Sequence, residues 1–366
     1  MKDKTKQGMT VIHVVQHLAP GGVESLALDL LKFSPPKVNS MIISLEGSKQ
    51  ESICRWPKLE RYSDNIMFLE KGSGVRFSIV SLLAKIFSIV KPDVVHTHHI
   101  GPLLYAGCAA RLSGVACRIH TEHDAWHLSN TKHRRLQKWA LKAIKPVLVA
   151  DAHHVYQALK TYFSYPHMLT IKNGVDCEIF RPGNKVLARD KFNLPEHATI
   201  VGCAGRLEEV KGQDVLLKAL TLLPNSTLLV LAGEGSQHQT LRILAQQLGI
   251  ESQVRFLGLV EDMPSFYQAL DTFCMPSRME GFPLSPLEAQ ACNTNAVVTD
   301  VGAAPETLCP KSGELVKSGH VVQLAMALSK ALNNNQVACP RDFVSSQYDI
   351  RHMSDAYHAI AVEALS

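Results

Sequence analysis

Glu280-Gly281-Phe282-Pro283-Leu284-Ser285-Pro286-Leu287-Glu288 sets two carboxylates eight positions apart, with a glycine, two prolines and a serine between them. One continuous helix cannot span this run. Pro283 and Pro286 lack an N–H and fix φ, so the first half reads as loop. Ser285 is then placed as N-cap, Pro286 at the first helical position and Glu288 at the third, the pattern of a capping box. Gly281 lets the backbone approach a ligand closely. A helix start after such a loop favours an anion, through its free N–H groups and its dipole. An acid inside an anion site fits a ligand that is phosphate at one end and hydroxyl-bearing at the other. A glutamate that only caps the helix is the competing reading.

Outward from this run, short β-branched segments alternate with longer amphipathic ones. Strands are expected at Thr10–Gln16, Val38–Leu45, Asn65–Leu69, Asp93–Thr97, Cys117–His120, Val147–Ala150 and Met168–Ile171. Helices are expected at Glu24–Phe33, Phe77–Val90, Leu103–Leu112 and Lys132–Ala143. A second series of strands follows the turn-rich Phe180-Arg181-Pro182-Gly183, at Ile200–Cys203, Thr227–Ala232, Val254–Phe256, Asp271–Cys274 and Ala296–Thr299. Between them fall helices at Gln213–Thr221, Gln237–Leu248, Pro264–Ala269 and Pro286–Cys292, and Ser354–Leu365 ends the chain. Such alternation implies an α/β fold with parallel sheets and helices on both faces. The economical architecture is two Rossmann-like, doubly wound domains facing a cleft, with ligands outside the strand carboxyl ends. The expected domains are 1–180 and 181–345, with a C-terminal helix in 346–366 packing back on the first.

The composition bounds the function. With 366 residues, 46% hydrophobic and 19% charged, the chain describes a globular protein with ample core. No run of ~20 uncharged apolar residues is present, so no transmembrane helix is expected. Lys2, Lys4 and Lys6 precede no signal-peptide core, so nothing marks export. The nine cysteines are scattered and make no Cys-x-x-Cys, which suits reduced thiols in the cytoplasm. A net charge of +5 fits an anionic nucleotide or an acidic membrane surface and does not suggest a nucleic-acid binder.

Three further motifs carry chemistry. Gly205-Arg206-Leu207 follows the first strand of the second half, with Lys211-Gly212 just before a helix. The planar Arg fork and the Lys point charge both suit a diphosphate. Ala19-Pro20-Gly21-Gly22-Val23-Glu24 opens the first helix, where two glycines allow close approach to a phosphate. His120-Thr121-Glu122-His123-Asp124 follows a strand in the first half. Adjacent residues alternate faces, so the cluster is not expected to hold a metal. His96 and His98 share one face of an earlier strand end and read as core or cleft residues.

The Glu-x7-Glu run together with Gly-Arg-Leu…Lys-Gly resembles the retaining GT-B glycosyltransferases of family 4. The resemblance extends to Asn173-Gly174-Val175-Asp176 and to the turn at Gly233-Glu234-Gly235, and runs from the first glycine loop to about Gly319. It implies a metal-independent enzyme without a cofactor, moving a sugar from a nucleotide-diphosphate donor to an acceptor hydroxyl. The acceptor would be a sugar or lipid-linked glycan, as in cell-envelope or extracellular polysaccharide and glycolipid synthesis. Glu280 would hold the donor sugar as a catalytic residue, with Gly281 and Phe282 beside it. Glu288 would hold the nucleotide ribose. Arg206, Lys211, Gly21, Gly22 and Leu284 would bind the diphosphate. His123, in the register of a Thr-x-His, would contact the donor sugar as a second catalytic residue. Pro283 departs from a pattern in which every loop residue could donate an N–H, leaving Phe282, Leu284 and their neighbours. A nucleotide-sugar epimerase of the same architecture and a non-catalytic nucleotide-binding subunit are the rivals.

Lys132–Lys145 is basic and amphipathic, with Leu136, Trp139, Ala140, Ala143 and Ile144 as its apolar stripe. The stripe is expected on the sheet, with the charges solvated. The alternative is a helix lying on an anionic membrane, which would make the protein peripheral at the inner face.

Overall fold

A computed structural model describes residues 8–333 and 339–366; Lys2, Lys4 and Lys6 lie outside the described residues. The chain divides into two units, one running to Gly174 and including Ile350–Ser366, the other Val175–Asp349.

The first unit is a seven-stranded sheet of β1 (Met9–Val15), β2 (Val38–Ser44), β3 (Ile66–Phe68), β4 (Val94–His98), β5 (Cys117–Glu122), β6 (Val147–Ala150) and β7 (Met168–Thr170), in the order β3-β2-β1-β4-β5-β6-β7. All neighbours are parallel. Strands covered on both faces need apolar side chains on both, hence runs such as Val147-Leu148-Val149-Ala150 in place of alternation. The strand order reverses between β1 and β4, where a doubly wound sheet leaves its ligand crevice. The C-terminal helix Ile350–Leu365 belongs to this unit, and its Ile350, Met353, Tyr357 and Ala361 pack with Leu26, Leu30, Val94 and Ile119.

The second unit is a six-stranded parallel sheet of β8 (Thr199–Ala204), β9 (Thr227–Ala232), β10 (Val254–Gly258), β11 (Thr272–Met275), β12 (Asn295–Thr299) and β13 (Glu314–Val316). Its order is β10-β9-β8-β11-β12-β13, with the reversal between β8 and β11. Aliphatic side chains bury on both faces, Val201, Leu229 and Val297 on one and Ile200, Val230 and Val298 on the other.

Several elements differ from the sequence expectation. The helix expected over Leu103–Leu112 begins as a wide π-type turn, Leu103–Gly107, before Cys108–Leu112. The short helix Lys185–Lys191 and the three-residue β13 were not expected, because neither is long enough to show a period. Asn184 starts that helix by accepting from the N–H groups of Val186 and Leu187 at 3.0 and 3.1 Å. Helices His153–Tyr162, Val321–Leu332 and Pro340–Gln347 also went unanticipated.

The basic helix, Thr131–Ile144, is turned relative to expectation. Its buried residues are Gln137, Ala140, Leu141 and Ile144, while Ala143 is exposed, Leu136 is 41% exposed and Trp139 58%. A polar anchor sets this rotation. Gln137 is fully buried and donates to Glu122, and its Oε1 lies 2.7 Å from His127 Nε2. This rotation keeps Gln137 paired in the core, at the cost of exposing Leu136, Trp139 and Ala143.

Candidate functional site

In the second unit, parallel strands deliver two loops side by side at the β8–β11 reversal. Gly205 and Arg206 leave β8 directly, and Pro276 follows β11. Close backbone contact fixes the loops. A Cβ on Gly212, whose φ is +69°, would stand 2.1 Å from the Pro276 carbonyl oxygen. Arg278 locks the same junction. Its guanidinium grips Asp214 in a fork at 2.8 and 2.9 Å and donates to the Glu209 carbonyl at 2.6 Å. The bond to Asp214 pushes the Arg278 pKa further up, so the clamp stays charged.

This clamp brings Lys211 to Glu280. Lys211 Nζ lies 2.7 Å from Glu280 Oε1, and Ser277 Oγ donates to the same oxygen at 2.6 Å. Ser277 is itself held, its carbonyl accepting from Thr299 Oγ1 at 2.6 Å. Glu280 is only 8% exposed, and its Oε2 takes no hydrogen bond from any described residue. The carboxylate therefore has one oxygen committed to protein and one left for a ligand hydroxyl. Arg206 is exposed, and its guanidinium makes no hydrogen bond or ion pair with a described residue. Its backbone is tied down by Gln213 Nε2, which donates to the Arg206 carbonyl at 3.0 Å. An anchored backbone with an uncommitted charge is the arrangement an anion site requires.

The capping box does not form. The helix runs Ser285–Ala291, the residue before it is the helical Leu284, and no side chain caps it. Glu288 Oε2 instead accepts from Tyr267 Oη at 2.6 Å. Tyr267 is fully buried, and burial followed by the neighbouring Glu288 charge raises its pKa well above the usual phenol range. It therefore stays protonated and aims the carboxylate. With no cap, the N–H groups of Gly281, Phe282 and Leu284 donate to no described residue. The Phe282 side chain is buried against Tyr348, ring centroids 6.0 Å apart, so only its backbone is available. Gly302 supports the loop from below. Its φ is +55°, and a Cβ there would stand 1.8 Å from the Glu280 carbonyl oxygen.

The structure thus gathers Glu280, Gly281, Phe282, Leu284, Glu288, Arg206 and Lys211 in one unit. Gly21, Gly22 and His123 belong to the other. Gly21 and Gly22 are exposed at the carboxyl end of β1, and nothing lies within 4 Å of a Cβ placed on Gly22. His123 does not offer a free ring nitrogen. Its Nδ1 is 3.1 Å from Asp151 Oδ2 and its Nε2 is 3.2 Å from His98 Nδ1. His120 is fully buried on the other face, between Thr97 Oγ1 at 3.0 Å and Glu122 Oε1 at 2.8 Å. Tyr267, Ser277, Arg278 and Gly302 were missed by sequence reasoning. Only Arg278 and Ser277 had a signal, their closeness to Glu280.

His127 titrates within this first-unit network. Burial opposes its charge, but the hydrogen bond to Asp124, the charge of Glu122 and the bond to Gln137 outweigh it and raise its pKa to about 9. Since the folded value exceeds the unfolded one, its contribution to stability is fully present below pH ~6.5 and is lost as pH rises through about 9. The melting temperature is expected to fall between pH 7 and 10, and to fall less steeply in His127→Gln. Equal slopes in a calorimetric pH series would show that the ring is not charged.

Two family profiles match the chain, "Glycosyltransferase Family 4" over residues 20–179 and "Glycosyl transferases group 1" over 184–345. The chain belongs to glycosyltransferase family 4. It is a glycosyltransferase of the GT-B fold class, with two parallel-sheet, Rossmann-like units. A D-inositol 3-phosphate glycosyltransferase of Mycolicibacterium smegmatis is 35% identical over 202 residues, 53% of this chain but 46% of the relative. The chain thus aligns with less than half the length of that relative. A GDP-mannose-dependent monoacylated α-(1-6)-phosphatidylinositol monomannoside mannosyltransferase of Corynebacterium glutamicum is 27% identical over 86% of both chains. Among solved structures, HepE of Anabaena in complex with UDP superposes with a TM-score of 0.85 at 18% identity, over 97% of this chain and 100% of that one. A Rickettsia africae glycosyltransferase gives 0.83 at 21% identity, over 98% and 99%.

Proposed function

We propose that this enzyme transfers a sugar, with retention of anomeric configuration, from a nucleotide-diphosphate donor to a hydroxyl of a glycolipid or polysaccharide acceptor. The observation that carries this is the paired loop at β8 and β11. Arg206 stands uncommitted, Lys211 bridges to Glu280, and Glu288 is aimed by a buried tyrosine. Arg206, Lys211 and the free N–H groups of the 281–284 loop take the diphosphate and stabilise the charge that develops as it leaves. Glu280 Oε2 orients a sugar hydroxyl, and Glu288 holds the ribose. The bond from the anomeric carbon to the diphosphate oxygen breaks, the acceptor oxygen takes its place, and the acceptor's proton goes to diphosphate or solvent. Cations and amides supply the stabilisation a metal would otherwise give, so chemistry at this site is metal-independent. The names of the relatives, one a lipid mannosyltransferase and one bound to UDP, support a nucleotide-sugar donor and a lipid-linked acceptor.

Nucleotide release tests it. Chelator-treated protein is incubated with UDP- and GDP-sugars, with and without acceptor lipids. Acceptor-dependent release is the expected result. A new sugar without acceptor would mark an epimerase, and binding without turnover a donor-binding subunit.

The rotated basic helix adds a peripheral membrane location to the proposal. Leu136 and Trp139 project outward among Lys132, Arg135, Lys138 and Lys142, the composition of an interfacial helix. Lys138, Lys142 and Lys145 also border a cavity of about 410 Å³ whose walls include Leu141, Phe163 and Tyr165. No described helix is long and apolar enough to cross a membrane. The protein is expected to sediment with anionic vesicles at low salt and to be released as salt screens the charges. Trp139→Ser should weaken sedimentation, and absence of wild-type sedimentation would exclude this helix as an anchor.

A further inference from the structure

β1 and β4 carry three histidines on one face of the first sheet. His13 lies opposite His96 in the parallel register, and His98 follows His96 by two residues. Apolar side chains are expected here, under helices Gly22–Lys32 and Ile350–Leu365. The three rings are instead buried, at 4%, 1% and 0% exposure. Their centroids are 5.2 Å apart for His13–His96 and 4.2 Å for His96–His98.

The hydrogen bonds suit one assignment of protons along the His98–His123 pair. Asp151 Oδ2 accepts from Asn173 Nδ2 at 2.9 Å, so His123 Nδ1, 3.1 Å away, donates to it as well. With one N–H committed to Asp151, His123 has Nε2 left to accept. His98 Nδ1, 3.2 Å away, supplies its proton. His98 Nε2 is then a bare lone pair, fully buried, with no partner among the described residues. His13 Nδ1 is likewise buried and unpartnered. A carboxylate–imidazole–imidazole relay that ends in an unsatisfied lone pair is the outer-shell arrangement of a metal-bound histidine.

We propose that His13, His96 and His98 bind a divalent transition-metal ion of the zinc class, with a water as the fourth ligand. One ligand nitrogen from each residue can be chosen so that all three lie within 4.8 Å of one another. Zinc–nitrogen bonds of ~2.0–2.1 Å in a tetrahedron need about 3.3 Å between nitrogens, which ring rotation can reach. A cavity of about 40 Å³ lined by His13, His96, Leu30 and Tyr357 adjoins the rings. One water needs only ~10–15 Å³ of such volume. Burial favours the neutral imidazole, the form that ligates a metal. The ion would clip β1 to β4 and, bound to the folded chain alone, would raise its stability. None of these three residues belongs to the donor loops, so the proposal stands apart from the transfer reading.

The test uses the full chain, stripped by chelator and dialysed, without any donor. Zn²⁺ is titrated by thermal unfolding and Co²⁺ by visible absorption. The expected result is one equivalent bound, a higher melting temperature with Zn²⁺, and the intense d–d bands of four-coordinate Co²⁺. His13→Phe and His96→Phe, which keep ring volume, should each weaken binding by more than the ~10–100-fold that loss of an outer-shell partner costs. Asp151→Asn, at the end of the relay, should fall within that 10–100-fold range. Should a Phe variant fail to fold, the wild-type Co²⁺ spectrum and stoichiometry decide. No Co²⁺ bands and no Zn²⁺ shift in wild type would overturn the site, as would undiminished binding in the folded Phe variants.

Discussion

Glu280→Gln is expected to fold, to melt close to wild type and to lose turnover by about one to two orders of magnitude, for loss of a charge-assisted bond of ~1.5–3 kcal/mol. The geometry says which half of the amide faces which way. Lys211 Nζ and Ser277 Oγ both donate to Oε1, so the glutamine oxygen must stay on that side. The amide nitrogen then replaces Oε2 and presents a donor where the proposed sugar hydroxyl would need an acceptor. The sugar loses its orientation, and the cost falls on kcat. Glu288→Gln follows the same logic with a smaller loss. Tyr267 Oη keeps the oxygen, and the new N–H₂ would face the hydroxyls of the proposed ribose, which can accept as well as donate. A rise in donor KM of about tenfold is expected, with kcat nearly kept. Tyr267→Phe should mimic it, since Glu288 would lose the group that aims it. Steady-state kinetics beside thermal melts separate these outcomes from a structural role. Wild-type rates in both Gln variants would remove the donor site from this loop.

Much of this site is legible along the chain because its parts are local. Pro283 and Pro286 break the helix wherever they sit, and Gly205-Arg206 follows a strand because the β-branched run ends there. What sequence could not supply is the choice between partners distant in the chain. Ser285 and Glu288 have the spacing of a capping box, yet Tyr267, 21 positions away, takes the carboxylate. Capping is worth ~1 kcal/mol, and a bond to a buried phenol that would otherwise go unsatisfied is worth more. Gln137 shows the same competition on a helix. Its amphipathic period is real, but one buried hydrogen bond turns the face by enough to expose Trp139. The glycine at 302 carries no local motif. Its requirement becomes visible only when the Glu280 carbonyl is seen against it. The strand order, with reversals at β1–β4 and β8–β11, is likewise a tertiary fact that fixes which loops meet.

Arg206→Ala and Lys211→Ala should differ, although both would remove a positive charge from the proposed diphosphate site. Arg206 has no partner among the described residues to abandon, so its loss should leave the melting temperature unchanged and weaken donor use by about 10–100-fold, for ~1.5–3 kcal/mol of charge-assisted bonding. As an exposed charge it should also carry the salt dependence of donor binding, and that dependence should flatten in the variant. Lys211 does two things at once. Its ammonium touches Glu280 at 2.7 Å, and Glu280 is buried. Removing it leaves a carboxylate held, among the described residues, only by Ser277, with a desolvation cost no longer offset by a cation. Lys211→Ala should therefore lose donor use by at least as much as Arg206→Ala and melt lower as well. Adding Glu280→Gln should restore part of the melting temperature without restoring turnover, because the unpaired charge is gone but the phosphate and sugar contacts are not regained. Such non-additivity is what a shared network predicts, whereas independent sites would add. Wild-type donor affinity in both single variants would reject the diphosphate assignment. Additive melting in the double variant would show that Lys211 and Glu280 do not act as a pair.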